Sequence, residues 1–128
     1  SDVYKRQVAG VAVLGVTGCA THPVSVQQAT ELPAAQLRTC IKRAAHRRGW
    51  RVVTDEPGKM RIKYVKGPHV LVADVTYDNE GYMIEAVKEG STLFNKDGTA
   101  HRKVNSWTAN LTVTIREEEN KILLRQTN

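Results

Sequence analysis

Three short turn sequences divide the middle of this chain into strand-length segments, and this spacing constrains the fold more than any other feature. The turns are Glu56-Pro57-Gly58, Lys66-Gly67-Pro68 and Asp78-Asn79-Glu80-Gly81. They separate four predicted strands, at residues 50–54, 59–65, 69–77 and 82–87. Because connections this short join antiparallel neighbours, the four strands are predicted to form an antiparallel meander.

The side chains within these runs alternate between apolar and polar. The face expected to be buried carries an apolar residue at every second position: Met60, Ile62, Tyr64, Leu71, Ala73, Val75 and Tyr77. The opposite face of the second run carries Lys59, Arg61 and Lys63. This alternation is typical of a sheet that is covered on one side and exposed on the other.

The segment before the strands has the periodicity of a helix. Pro33 suits a first helical turn, and Gly49 suits a C-terminal cap. Between them, apolar residues recur at three- and four-residue steps, at Leu37, Cys40, Ile41, Ala44 and Ala45. Cys40 is therefore predicted to be a small core residue.

The segment after the strands is ambiguous. Val104, Trp107, Leu111 and Ile115 follow helical steps, whereas Leu111, Val113 and Ile115 alternate as in a strand. The helical spacing extends over more residues, so we predict a helix, with Thr99 as its N-cap. The predicted fold class is α+β, a four-stranded antiparallel meander with two helices packed on one face.

The N-terminal segment has the pattern of a secretory signal peptide. Lys5 and Arg6 precede the uncharged residues 8–18, a run too short for the about twenty residues that span a bilayer. Val16-Thr17-Gly18-Cys19 resembles the bacterial lipobox, in which the cysteine is lipidated and becomes the mature N-terminus. A buried glycine-rich strand and a soluble secreted protein cut near Gly18 are the alternatives.

These patterns predict the domain organisation. We expect residues 1–18 to be a signal peptide, residues 19–32 to be the lipidated Cys19 and a tether, and residues 33–128 to be a single α+β domain. Residues 1–7 lack methionine and resemble the translated end of a truncated fragment, so they are a candidate for non-native sequence. Ala20 after the cysteine, instead of Asp, favours the outer membrane, with the domain facing the periplasm.

Residue types suited to catalysis occur without a local motif that would bring them together. Ser91, His69 or His101, and Asp74 supply the types of a hydrolytic triad, but no GxSxG sequence places them. The run at 117–119 is three glutamates, which is typical of a solvated helix end. The chain is therefore expected to be no enzyme and to have no catalytic residues, metal ligands or cofactor.

Positive charge is concentrated on the first helix, in a chain whose net charge is +6. The basic residues are Arg38, Lys42, Arg43, Arg47 and Arg48. They suit either a solvated face opposite the core or attraction to anionic lipid or another anionic envelope polymer. The predicted location in the cell envelope argues against a nucleic-acid partner.

The order of residues from Trp50 onward resembles a family of small uncharacterised bacterial envelope lipoproteins. The shared positions are Gly49-Trp50, Pro57-Gly58, Lys66 with His69, Tyr77, Ser91 with Leu93, and His101 with Asn105 and Trp107. The resemblance implies a helix at the C-terminus and brings no activity with it. It also implies a candidate polar cluster of His69, Ser91, His101 and Asn105 near one end of the sheet, although these residues also suit turn caps.

The predicted function is that of a lipid-anchored protein of the bacterial cell envelope with a non-enzymatic binding or structural domain. Its expected partners are the membrane, reached through the lipid on Cys19, and an envelope protein or anionic envelope polymer. The alternative is a periplasmic ligand-binding or hydrolytic domain that uses the cluster of histidines and Ser91.

Overall fold

The computed structural model describes residues 20–126 as an α+β domain. The prediction for Cys19 and the signal peptide lies outside these described residues. The helices are α1 (Ala34–Arg47) and α2 (Lys103–Gln126). The strands are β1 (Ala20–Thr21), β2 (Val26–Ala29), β3 (Arg51–Glu56), β4 (Lys59–Lys66), β5 (His69–Tyr77), β6 (Gly81–Val87) and β7 (Ala100–His101).

The meander is confirmed, because β3, β4, β5 and β6 pair antiparallel in sequence order. The first turn contains Pro57 and Gly58, whose positive φ of 81° favours glycine at this position. On the covered face, Met60, Ile62 and Val75 are fully buried, as the alternation predicted. The exposed edge strand β3 carries Arg51, Asp55 and Glu56, and charges of this kind discourage edge-to-edge pairing.

The sheet has five strands, so the prediction of four was wrong. The fifth is β2, which pairs antiparallel with β6 from Val26↔Ile84 to Ala29↔Gly81. This segment was predicted to belong to a tether, and the domain was predicted to begin near residue 33. The sequence of β2 lacks an apolar alternation because an edge strand is held mainly by backbone hydrogen bonds to its one neighbour. Leu32 is also buried, at 1% exposure, so the domain includes residues before Pro33.

Both helices contribute to one hydrophobic core with the covered face of the sheet. Leu37 and Ile41 of α1, and Leu111 and Ile115 of α2, are all fully buried in that core. Cys40 is buried at 1% exposure, which confirms its prediction as a core residue. Burial raises the pKa of its thiol to about 11, so the thiol stays protonated and unreactive at neutral pH.

The ends of the helices position the residues around the candidate site. Gly49, with a φ of 85°, follows α1, and Trp50 N donates to Ala45 O at 2.8 Å. Gly49 N donates to His46 O, so the two bonds form a Schellman motif that turns the chain directly into Trp50. The prediction of Thr99 as the N-cap of α2 was wrong, because that helix begins at Lys103 and Thr99 lies in the preceding turn.

Candidate functional site

The structure brings two of the four residues of the predicted polar cluster together. His69 begins β5 and His101 ends β7, and their ring centroids lie 5.8 Å apart. His101 Nδ1 accepts a hydrogen bond from Lys103 N at 3.1 Å, which caps the start of α2. Burial, and then the charges of Lys103, His69 and Arg102, lower the pKa of His101 and favour the neutral ring that this bond requires.

The side chain of Ser91 forms hydrogen bonds with backbone groups and not with a catalytic base. Its Oγ donates to Val87 O at 2.6 Å and accepts from Val72 N at 2.9 Å. Asp74, the acid that a hydrolytic triad would need, is paired with Arg61 through two bonds of 2.7 and 3.0 Å. That pairing lowers the pKa of Asp74. Within residues 20–126, the serine, histidine and aspartate of the alternative hydrolytic hypothesis are therefore not assembled into a triad.

We expect Ser91→Ala to lower the free energy of unfolding by about 1 to 3 kcal/mol, because it leaves the Val72 N–H without its acceptor. Urea denaturation measures this change. Ser106→Ala, at an exposed position on α2, is the matched control and should change stability by less than about 0.5 kcal/mol. Equal stability of the two variants would contradict the structural role of Ser91.

Asn105 binds the segment that precedes β2. Its Oδ1 accepts from Val24 N at 3.0 Å, and its Nδ2 donates to His22 O at 3.2 Å and to Thr21 Oγ1 at 3.4 Å. One side chain thus satisfies both backbone and side-chain groups of residues 21–24. The fourth member of the predicted cluster therefore fixes the N-terminal segment to the start of α2.

Three aromatic rings form a continuous cluster beside the two histidines. Trp50 stacks on Tyr64 with centroids 5.4 Å apart, and Tyr64 meets Trp107 edge to face at 4.8 Å. His69 joins the same cluster, with its ring 6.5 Å from that of Trp107. The rings come from three separate elements: the loop after α1, strand β4, and the first turns of α2.

A groove of about 220 Å³ opens over these rings. We call it the aromatic groove, and it is lined by Arg48, Trp50, Tyr64, Lys66, Trp107 and Asn110. Arg48 is oriented by a 2.7 Å bond from its Nε to Thr114 Oγ1. Lys103 adds a third cation, with its Nζ 6.0 Å from the centroid of the Trp107 ring.

In the described part of the chain, the cations at the aromatic groove are not paired with acids, unlike most of the basic residues predicted on the first helix. Among the described residues, no carboxylate lies within 4 Å of the charged nitrogens of Arg48, Lys66 or Lys103. Their positive charge is therefore not neutralised locally, and a ligand that reaches the rings also meets these charges.

The basic surface predicted on α1 is divided by ion pairs. Arg38 and Lys42 both contact Asp55, and the Arg38 hydrogen bond is the main reason that the pKa of Asp55 is lowered. Arg47 contacts Glu117 and Glu118, each at 2.9 Å. Arg48 faces the aromatic groove, whereas Arg43 is exposed beside a second groove.

The second groove runs between the helices and has a volume of about 430 Å³. We call it the interhelical groove, and it is lined by Lys42, Arg43, His46, Arg47, Glu118, Lys121 and Arg125. Several of its cations are neutralised by acids of β3 and α2, so it has less net charge than the sequence of α1 suggests.

The glutamate run was predicted to be a solvated helix end, and this prediction was wrong for two of its three residues. Because α2 continues to Gln126, the run lies inside the helix, and Glu118 and Glu119 are only 4% and 8% exposed. Glu118 contacts Arg47 and Lys121. Glu119 accepts a hydrogen bond from Thr30 Oγ1, and burial raises the pKa of its carboxyl.

We expect Glu119→Gln to stabilise the fold at pH 7. A carboxyl with a raised pKa in the folded state binds its proton more tightly there than in the unfolded chain. The free energy of unfolding therefore falls as pH rises from the pKa of the unfolded chain through the raised pKa of the folded state. The neutral amide removes this loss and still offers an oxygen to Thr30. The free energy of unfolding, measured from pH 4.5 to 8, should depend less on pH in the variant.

The matched control for this prediction is Glu80→Gln, which removes the same charge from an exposed position. We expect that control to keep the wild-type pH dependence. A steeper dependence in Glu119→Gln, or the same change in both variants, would contradict a buried carboxyl with a raised pKa.

Among residues 20–126, no group of three or more His, Cys, Asp or Glu side chains is placed to hold a metal ion. Neither helix of the described chain is long and apolar enough to cross a membrane. Comparison with protein-family models, with curated proteins and with solved structures found no match to this chain.

Proposed function

We propose that this chain is a lipid-anchored, non-enzymatic binding domain of the bacterial cell envelope, and that the aromatic groove is its binding site. The lipid would be on Cys19, and the domain would face the periplasm from the outer membrane. The ligand class is an acidic glycan of the envelope. One observation carries the proposal: three aromatic rings in contact lie beside cations that no carboxylate of residues 20–126 neutralises.

The rings account for the glycan part of the ligand. Tryptophan and tyrosine offer flat apolar faces with a polar edge, and sugar rings pack their C–H faces on such surfaces. Tyr64 and Trp107 are both half-buried, so part of each ring is accessible to a ligand. Trp50 is only 5% exposed and stacks against the ring of Tyr64.

The cations account for the acidic part. Arg48, which follows α1, and Lys66, which ends β4, both line the aromatic groove. Asn110 adds an amide that can donate and accept hydrogen bonds. A carboxylate or phosphate on the ligand would form charge-assisted hydrogen bonds with these groups. The volume of about 220 Å³ is below the about 300 to 1,000 Å³ of pockets for drug-sized molecules. We therefore expect it to hold one unit of a polymer.

Intrinsic fluorescence tests the binding site directly, because the two tryptophans of the sequence, Trp50 and Trp107, both line the groove. The probes are cell-wall glycan fragments that carry carboxylates, and uncharged chitin oligomers of the same length. We expect a saturable change in emission with the acidic fragments that weakens as salt is added. An unchanged spectrum, or equal binding of the neutral oligomers, would refute the site.

Metabolic labelling with a fatty-acid analogue tests the anchor separately. We expect the wild-type protein to carry the label and the Cys19→Ser variant to carry none. Equal labelling of both proteins, or no label on the wild type, would refute lipidation at Cys19 and leave the groove to be judged by fluorescence.

A further inference from the structure

The N-terminal segment of the described chain is fixed to the domain from its first residue. Ala20 pairs with His101 and Thr21 pairs with Ala100 in the short β1–β7 ladder. Asn105 then holds the next residues through its bonds to Val24 N and His22 O. After that, β2 is part of the main sheet. No stretch of this segment is left to act as a spacer between residue 20 and the domain.

This attachment limits the distance between the domain and a lipid on Cys19. Consecutive Cα atoms are about 3.8 Å apart, so Cys19 lies one residue from the ladder that Ala20 forms with His101. A flexible tether over residues 20–32 would instead have allowed an average separation of about 20 Å. The lipid and the start of α2 are therefore close neighbours whenever Cys19 is lipidated.

The surface around this attachment is positively charged. Lys96, Arg102 and Lys103 flank β7. The one acid in residues 96–103 is Asp97, whose pKa is lowered mainly by the hydrogen bond from Thr99. Three cations against one carboxylate complement an anionic lipid surface. We call these residues, with β1 and β7, the anchor end.

We propose that the anchor end lies directly on an anionic phospholipid surface, with α2 pointing away from the bilayer. This proposal rests on the proposed lipidation of Cys19. The 24 residues of α2 make it about 36 Å long. Lys121 follows Lys103 on that helix at an axial distance of about 27 Å, so the interhelical groove is held well above the headgroups. The basic helix α1 then faces the space beyond the membrane.

Lysine footprinting of the lipidated protein tests this orientation. The protein is purified from membranes and reconstituted in phosphatidylcholine vesicles with and without phosphatidylglycerol, and an impermeant acylating reagent is read out by mass spectrometry. We expect Lys96 and Lys103 to react several-fold more slowly than in the unlipidated Cys19→Ser protein, most strongly with the anionic lipid. Lys42 and Lys121, in the interhelical groove, are internal controls that should react equally in both.

Asn105→Ala is the matched variant, because it removes the three hydrogen bonds that hold residues 21–24 while leaving Cys19 in place. We expect it to keep its fatty-acid label and to lose much of the protection at Lys103. Equal reactivity of all lysines in the wild type, or protection of Lys42 and Lys121, would overturn the orientation. If the wild type carries no lipid in the labelling experiment, it is the proposed anchor that fails.

Discussion

Leu111→Ala should lower the free energy of unfolding by about 2 to 5 kcal/mol, the usual cost of removing a fully buried leucine. Leu111 is 0% exposed and belongs to the core shared by both helices and the sheet. Its loss leaves a cavity that the surrounding strands can fill only in part. In a domain of this size, we expect the midpoint of thermal unfolding to fall by about 10 °C or more.

Val113→Ala is the control on the same helix, two residues away. Val113 is 48% exposed, so its truncation should change stability by less than about 0.5 kcal/mol. The pair also tests the secondary structure, because a strand would bury both side chains on one face. Comparable destabilisation by the two variants would contradict the helical register of α2.

Removing two positive charges of the aromatic groove should weaken binding of an acidic glycan about 10- to 100-fold at low salt. Arg48→Gln with Lys66→Gln keeps polar side chains but removes the two cations that line the groove. A charge-assisted hydrogen bond contributes about 1.5 to 3 kcal/mol, and the neutral bond that glutamine can still form contributes about half as much. The two replacements together therefore cost about 1.5 to 3 kcal/mol, and each 1.4 kcal/mol corresponds to a tenfold change in affinity. Fluorescence titration of Trp50 and Trp107 measures the loss.

Arg43→Gln is the control for the removal of charge. Arg43 is exposed on α1 and lines the interhelical groove, so its variant tests whether nonspecific attraction explains the binding. We expect Arg43→Gln to bind nearly as well as the wild type. If it weakens binding as much as the double variant does, the general positive charge of the domain, and not the aromatic groove, is responsible.

Short-range chemistry explains why much of the fold could be predicted. Pro57 and Gly58 fix a turn locally, and the alternation of Met60 and Ile62 with charged residues follows from the pleat of a strand. The spacing of Leu37 and Ile41 likewise follows from the helical repeat. Each of these signals depends on residues within a few positions of one another, so a sequence displays them directly.

The fifth strand and the buried glutamates depend on partners that are distant in the chain. β2 takes its hydrogen bonds from β6, and its own residues show no alternation that would mark it as a strand. Glu118 is stabilised by Arg47, 71 residues away, and Glu119 by Thr30, 89 residues away. Nothing near these residues in the sequence indicates that such partners will be present.

The candidate site was located only in part. The resemblance pointed to His69 and His101, which do meet, and to Asn105, which instead fixes the N-terminal segment. The resemblance also included Trp50 and Trp107, but it did not predict that their rings belong to one cluster. Tyr64, whose ring lies between the two, was assigned to the core face of its strand.

The sequence by itself determined the meander, the two helices and the core positions of this protein, because turns and periodicities are local properties of the chain. Only the tertiary structure decided that β2 joins the sheet, which glutamates are buried, and that three aromatic rings meet beside the cations Arg48 and Lys66. Those features arise where elements far apart in sequence come together. Their energies depend on contacts and desolvation that exist only after the chain has folded.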